Sequence, residues 1–512
     1  MLKNFSNTRE KKAKLNILIS LQCQLITLLC GFIVPGLMIN TYGSEAYGAT
    51  ASITQFLAYI SLLEGGIGGV ARAALYKPLA DGDVQRVSEI ISEIKRFFRI
   101  VAYVFAVYVL ILASTYKYIS GVEYFDWMST FVLVLVISIS TFAQYFVGIS
   151  YSVLLQAEQK TYITQTINIL GTILNTILIV ILVNLKCSLI LVKLGSSCVF
   201  VLRPIAMFLY VRKHHKFVQC DTRNKNLLEQ KWAGLGQHIA YFLHSNIDIV
   251  VLTLLSSLTS VAVYSVYNMI ISHMQSLIAS FSTGMEALFG NMYAKGEIKR
   301  LREVFGYYET MISIISVILL SATAVLIIPF IKIYTANITD ANYIQVEFGM
   351  ILLLASIVYC LRSPYHNMII AAGHFRQTQI AAYGEAVINI VLSIMLVIKY
   401  GLIGVAIGTL VATLFRLLYY VRYLEKHILN RSAKLFIKRE FINIICFILI
   451  YICGGWLISN MNLGNYYYWA FCGLAVVGIA SVITLTLNIV LYNSDIREII
   501  GRMNHGHAVK RD

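Results

Sequence analysis

Long apolar runs, broken by short polar and mostly basic segments, recur from the N-terminus to the far end of the chain. A helix crosses the hydrocarbon core of a bilayer with about 20 apolar residues, and fourteen runs reach that length. They lie at about 15–40, 45–72, 98–117, 127–156, 161–184, 187–211, 233–257, 260–290, 307–334, 344–372, 375–399, 402–424, 438–459 and 466–492. The pattern predicts an all-α polytopic membrane protein of about 14 transmembrane helices, with no loop large enough for a soluble domain.

The chain repeats itself at an offset of 214 residues. Leu79-Ala80-Asp81-Gly82-Asp83-Val84-Gln85-Arg86-Val87 aligns with Tyr293-Ala294-Lys295-Gly296-Glu297-Ile298-Lys299-Arg300-Leu301. Residues 1–212 and 232–425 are therefore expected to form two pseudo-symmetric six-helix bundles. A basic linker, 213–231, joins them, and 426–512 adds two C-terminal helices and a tail. Six is an even number, so the halves share one orientation in the membrane, as in parallel transporter repeats.

Polar positions within the apolar runs fall at helical spacing. In the first span Asn16, Ser20, Gln24, Thr27 and Gly31 form a stripe. Moved by 214 residues, Gln24, Thr27 and Gly31 become His238, Tyr241 and Ser245. In the second span Thr54, Ser61, Gly68 and Arg72 share a face; their counterparts are Asn268, Gln275, Ser282 and Glu286. Spans 1, 2, 7 and 8 are thus expected to line a water-filled lumen with Gln24, Ser61, His238, Tyr241, Ser245, Asn268 and Gln275. Small polar residues also serve simply as packing contacts between membrane helices. That suffices for Ser20 or Gly68. It does not suffice for Arg72, Asp248 or Glu286, because ionised groups inside a membrane need water or partners.

Charge placement fixes the expected topology. Of the 41 Lys and Arg residues, 32 fall in the even-numbered loops and the two tails or at the span ends that border them. By the positive-inside rule those segments, and both termini, are cytoplasmic. The net charge of +16 is then a topology signal with membrane lipids as partners, and it points away from nucleic acid. The nine cysteines show no metal-ligand spacing and read as small apolar residues; neither a metal nor a cofactor is expected.

The intramembrane ions carry the candidate chemistry. Arg72, Arg203, Arg362 and Arg416 are suited to phosphate oxygens, because the guanidinium presents paired donors. Glu64, Asp248 and Glu385 are candidates for coupling to H⁺ or Na⁺. Arg72 and Glu286 occupy equivalent positions in the two halves and form a candidate gate pair. The four glycines at 65, 66, 68 and 69 follow no strand and precede no Lys-Ser/Thr, so they are a close-packing or hinge element and not a nucleotide loop.

Tyr42-Gly43-Ser44-Glu45-Ala46-Tyr47-Gly48, Ser61-Leu62-Leu63-Glu64-Gly65-Gly66-Ile67-Gly68 with Arg72, Asn246-Ile247-Asp248-Ile249-Val250-Val251 and Val261-Ala262-Val263-Tyr264-Ser265-Val266-Tyr267 together resemble the bacterial polysaccharide flippases. These are the O-antigen and capsule repeat-unit translocases of the multidrug/oligosaccharidyl-lipid/polysaccharide exporter superfamily. The resemblance implies an undecaprenyl-diphosphate-linked oligosaccharide as substrate, flipped from the cytoplasmic to the periplasmic leaflet of the inner membrane by alternating access. It implies partnership with the polymerase and chain-length proteins of the same pathway, while the acids Glu64, Asp248, Glu286 and Glu385 point to ion coupling or to a neutral or amino-sugar repeat unit. Arg72, Arg203, Arg362 and Arg416 would meet the diphosphate and sugars, although Glu64, Asp248, Glu286 and Glu385 depart from a purely cationic lumen. A drug or metabolite exporter and a lipid II exporter of the same superfamily are the alternatives. A membrane-integral polymerase or ligase fits poorly, because the outside loops are too small to hold catalytic residues.

Overall fold

The computed structural model describes residues 2–64, 67–215, 235–282, 284–461 and 464–491, with side chains from 15 onward except at 235–238, 240–241, 243–245 and 491. Several expectations lie outside these residues: Gly65 and Gly66, the basic linker from 216 on, the C-terminal tail from 492 on, and the side chains of His238, Tyr241 and Ser245. Every regular element among the described residues is a helix.

Two compact units are present, residues 1–265 and 266–512. The first contains α1 (Leu2–Tyr42), α2 (Ser44–Ala58), the single turn α3 (Ser61–Glu64), α4 (Ile67–Asp81), α5 (Val84–Ser120), α6 (Trp127–Ala143), α7 (Ile149–Ala157), α8 (Thr161–Asn184), α9 (Leu189–His214) and α10 (Leu235–Leu255). A π-turn, Gln144–Gly148, joins α6 to α7 without a break. Helix α5 packs on α4 and α6, α9 on α6 and α8, and α1 on α8. Helix α10 packs on α2.

Helix α11 (Leu258–Ser280) begins in the first unit and continues into the second. There follow α12 (Met285–Ala294), α13 (Ile298–Tyr334), α14 (Val346–Ala371), α15 (Phe375–Tyr400) and α16 (Leu402–Leu424). A second π-turn, Glu425–Leu429, then leads towards α17 (Lys434–Ser459) and α18 (Tyr466–Leu491). Helices α14, α15 and α16 form one packed group, and α17 and α18 both lie on α13. Two glycines let α15 and α16 approach closely: a Cβ at Gly404 would meet the Leu396 carbonyl oxygen at 2.3 Å, and one at Gly408 the Ser393 hydroxyl at 2.5 Å.

Helix boundaries recur at the offset read from the sequence. Helices α2 and α11, α5 and α13, and α8 and α15 each begin 214 residues apart, and α5 and α13 both run 37 residues. The loop match explains itself locally. Gly82 and Gly296 share a φ of 72°, which a side chain rarely adopts. Asp83 then caps α5 by accepting the Arg86 backbone N–H at 2.9 Å. Residues 73–97, between the second and third apolar runs, form no separate surface helix. They are the end of α4 and the start of α5, with the chain turning only at Gly82 and Asp83. At 1.5 Å per residue α5 is about 55 Å long, so its basic first turns (Arg86, Lys95, Arg96, Arg99) extend past a hydrocarbon core of about 30 Å.

Eleven helices among the described residues are long and apolar enough to cross a membrane, or twelve if the pair Ser44–Glu64 and Ile67–Asp81 is one bent span. The fourteen sequence spans also count 233–257, which is α10, and 260–290, which is broken into the polar-striped α11 and the first turns of α12. The outer surface is that of a protein in lipid. On α5 Tyr103, Val104, Val107, Leu110 and Ile111 are exposed while Val101, Ala102, Phe105, Val109 and Leu112 are buried, so both faces are apolar. The fold is that of an all-α polytopic membrane protein.

Candidate functional site

The segment around Glu64 is where the regular bilayer-helix pattern fails, and it shapes a cavity. Helix α3 ends at Glu64, α4 restarts at Ile67, and the axes on either side differ by 46°. Facing this bend is the π-turn Gln144–Gly148. A π-turn inserts one residue into a helix and re-aims the side chains beside it. Its widening is accommodated by Gly148, where a Cβ would sit 2.4 Å from Gln144 Oε1. Together the two irregularities shape a cavity of about 490 Å³.

Its polar lining is Glu64, Arg72, Gln144, Tyr145, Ser152 and Gln156, all from the first unit. Arg72 Nη1 donates to the Gln156 side-chain carbonyl, and Gln156 Nε2 donates to Ser152 Oγ at 3.1 Å. The Tyr145 hydroxyl bonds the Glu64 carboxylate. Glu64 and Arg72, on either side of the break, bring one acid and one base to the same space. Gly69 also lines the cavity, and a Cβ there would have nothing within 4 Å.

The other candidate arginines do not open on this cavity. Arg203, on α9, lies over the Phe200 ring at 4.2 Å and donates to Thr172 Oγ1 at 2.8 Å and to the Asn168 carbonyl at 3.3 Å, both on α8. In the second unit Glu385 on α15 accepts Arg362 with one oxygen and Arg416 with the other. Arg416 further donates to Tyr420 at 2.8 Å, and Arg362 lies over the Tyr359 ring. Glu385 is fully buried, Arg362 is 5% and Arg416 2% exposed. Each Glu385 oxygen is thus paired with a cation of the protein itself. Pro364 lies within the continuous helix α14.

The expected lumen residues are dispersed in exposure. Gln24 is exposed on α1; Ser61 and Asn268 are half-buried. Gln275 donates to Ser356 Oγ at 3.0 Å within the second unit. Asp248 is buried and accepts the Tyr264 hydroxyl at 2.8 Å, tying α10 to α11. Glu286 is exposed in the first turn of α12.

Two groups went unread in the sequence. The first is the far wall of the cavity. Ser152 and Gln156 share a helix face and were legible in principle, but the π-turn that presents Gln144 and Tyr145 carries no sequence signature. The second is a network around Glu309 on α13. It accepts from Arg431 at 2.7 Å and from Tyr365 and forms an ion pair with Arg439, while Arg431 also binds both oxygens of Glu425 at 2.8 and 2.7 Å. Burial opposes the charge of Arg431, but the carboxylates of Glu425 and Glu309 raise it above the usual guanidinium range. Counting Arg431 and Arg439 as loop cations hid this role. Among the described residues no group of three or more His, Cys, Asp or Glu could hold a metal ion.

Comparison with known proteins places this architecture. Residues 235–395 match the MatE family. No curated protein sequence matches the chain. The fold is similar to the lipid II flippase MurJ in an inward closed conformation, at a TM-score of 0.70 and 17% identity, covering 94% of this chain and all of that one. It is also similar to an inward-facing MATE family multidrug resistance transporter of the MOP superfamily (TM-score 0.55, 15% identity, 80% of this chain and 98% of that one). A third likeness is the MATE multidrug transporter DinF-BH (TM-score 0.58, 16% identity, 82% of this chain and 97% of that one).

Proposed function

We propose that this protein is a flippase that moves undecaprenyl-diphosphate-linked oligosaccharide repeat units from the cytoplasmic to the periplasmic leaflet of a bacterial inner membrane. The observation that carries the reading is the Glu64–Arg72 cavity: a polar, charged chamber built among helices whose outer faces are apolar. Keeping ionised side chains in such a place is expensive unless they serve a polar cargo. The fold shared with flippases and exporters, together with the sequence resemblance, supports transport of such a cargo by alternating access. Binding would rest on Arg72, Gln156 and the π-turn side chains. The Arg362–Glu385–Arg416 group would keep α14, α15 and α16 together as one body while the chain changes state.

The test is complementation of a bacterium lacking its own repeat-unit flippase. Surface polymer should return with this chain and fail with Arg72→Ala at equal protein level. If the wild-type chain restores nothing in hosts of several polymer types, the reading is wrong. Export of lipid II is a second reading, favoured by the near-complete mutual coverage with the MurJ structure. It predicts rescue of cells depleted of their lipid II flippase.

A further inference from the structure

A diphosphate bound away from bulk water needs an excess of cationic donors around it, because each buried anionic oxygen left unpaired is costly. The cavity does not supply that excess. Among the described residues its charged lining is one carboxylate, Glu64, and one guanidinium, Arg72, which together add no net charge. Part of the Arg72 fork is already committed to Gln156. A diphosphate entering here would meet the Glu64 carboxylate with like charge.

What the cavity does supply is groups that donate and accept at once. Gln144 and Gln156 each carry an amide with both capacities, and Ser152 and Tyr145 each carry a hydroxyl. Sugar hydroxyls have the same dual character, and N-acetyl groups match amides. Glu64 accepts from hydroxyls and Arg72 donates to ring or acetyl oxygens, so the pair fits a ligand that is rich in both functions and uncharged. At about 490 Å³ the space lies within the roughly 300–1,000 Å³ of small-molecule sites. Two glycines on the α4 wall, Gly68 and Gly69, leave it smooth, which suits a ring lying against the helix.

We propose that the Glu64–Arg72 cavity is a subsite for neutral sugar of the cargo, with the diphosphate carried elsewhere. Gln144, Gln156 and Arg72 contact the sugar. Tyr145 is a positioning residue that holds the Glu64 carboxylate. Gly148 makes the room in which the Gln144 side chain turns. The proposal rests on the flippase reading for its cargo, but it concerns binding and can be tested without transport.

The experiment uses the full-length protein in lipid nanodiscs and ligand-observed saturation-transfer NMR. The probes are glucose, galactose and N-acetylglucosamine, with inorganic pyrophosphate as a separate arm. At least one sugar should receive saturation. Its apparent affinity should fall about fivefold or more in Gln144→Ala and in Gln156→Ala, as expected when a buried ligand hydrogen bond is lost. Gly69→Phe should abolish the signal. A side chain there begins in open space, so folding survives, and monodisperse elution with an unchanged melting midpoint checks that. Pyrophosphate should give no signal that depends on Arg72 or Gly69. The subsite is overturned if no sugar binds, if sugar binding ignores Gly69→Phe, or if pyrophosphate occupies the cavity in an Arg72-dependent way. Sugar binding that follows the variants while complementation fails in every host would leave the subsite standing and remove the flippase reading instead.

Discussion

Glu385 and Arg416 form an ion pair between α15 and α16 in which neither side chain is more than 2% exposed. Arg362 from α14 takes the other Glu385 oxygen, so three helices are joined at one carboxylate. Removing one member of a buried pair leaves an uncompensated charge, which costs about 3–5 kcal/mol. Glu385→Ala leaves two cations facing each other. It should lower the melting midpoint of the purified protein steeply or abolish monodisperse protein. An unchanged midpoint would show that the pair is dispensable for folding.

Gly48 and Gly69 lie on the same stretch of chain and should respond oppositely to one methyl group. At Gly48 a Cβ would lie 1.8 Å from the backbone oxygen of Leu258, and backbone cannot rotate away. Gly48→Ala should therefore destabilise by about 1–3 kcal/mol or more, as overpacking does. At Gly69 nothing lies within 4 Å, and Ala replaces Gly inside a helix, which gains roughly 1 kcal/mol. Paired thermal unfolding in one detergent measures both; equal midpoints would contradict the packing.

Glu158, between α7 and α8, should make stability acid-sensitive. Burial acts to raise its carboxyl, but His215 at 3.3 Å and Lys160 at 2.9 Å carry it below the usual carboxylate range. A depressed carboxyl contributes stability that is present above its unfolded value of about 4.3 and is lost as pH falls through the lower folded value. Melting midpoints should therefore drop below about pH 4.3, and Glu158→Gln should flatten that part of the profile. A variant profile parallel to wild type would exclude the group as the source.

Arg431 holds the start of α17 against α13 through Glu309, while also neutralising Glu425. Both carboxylates are at least 95% buried. Arg431→Ala leaves Glu425 without its guanidinium and Glu309 with Arg439 alone. We expect a loss of about 3–5 kcal/mol and earlier proteolytic cleavage between residues 425 and 434 than in wild type. Arg431→Lys, which keeps charge but not the fork, should recover only part of it. Wild-type cleavage kinetics in Arg431→Ala would argue that the network is not holding α17.

Much of the fold was legible in one dimension. Apolar runs of membrane length announce themselves, because the backbone of a lipid-facing helix must satisfy its own hydrogen bonds. The 214-residue offset was visible in nine residues around one turn because a turn such as Gly82-Asp83 demands particular side chains, whereas lipid-facing positions accept any apolar residue. The site was half legible. Glu64 and Arg72 stood out as charges in an apolar run. Arg362, Glu385 and Arg416 stood out too, but periodicity says only that each is misplaced in lipid, not that the three cancel against one another. Loop position likewise marked Arg431 and Arg439 as surface cations, although the return of α17 against α13 buries them beside Glu309.

Local chemistry thus determined which segments are helices, where they turn, and which residues are too polar for the bilayer. Those are free-energy differences between a residue and its immediate solvent, and each residue carries them alone. Partnership was decided only by the tertiary structure. Gln156 meets Arg72 across 84 residues of chain, and the π-turn Gln144–Gly148 brings Gln144 and Tyr145 to the same cavity. Whether a buried charge serves a ligand or a neighbouring helix depends on what stands within about 4 Å of it, and packing between distant segments sets that distance.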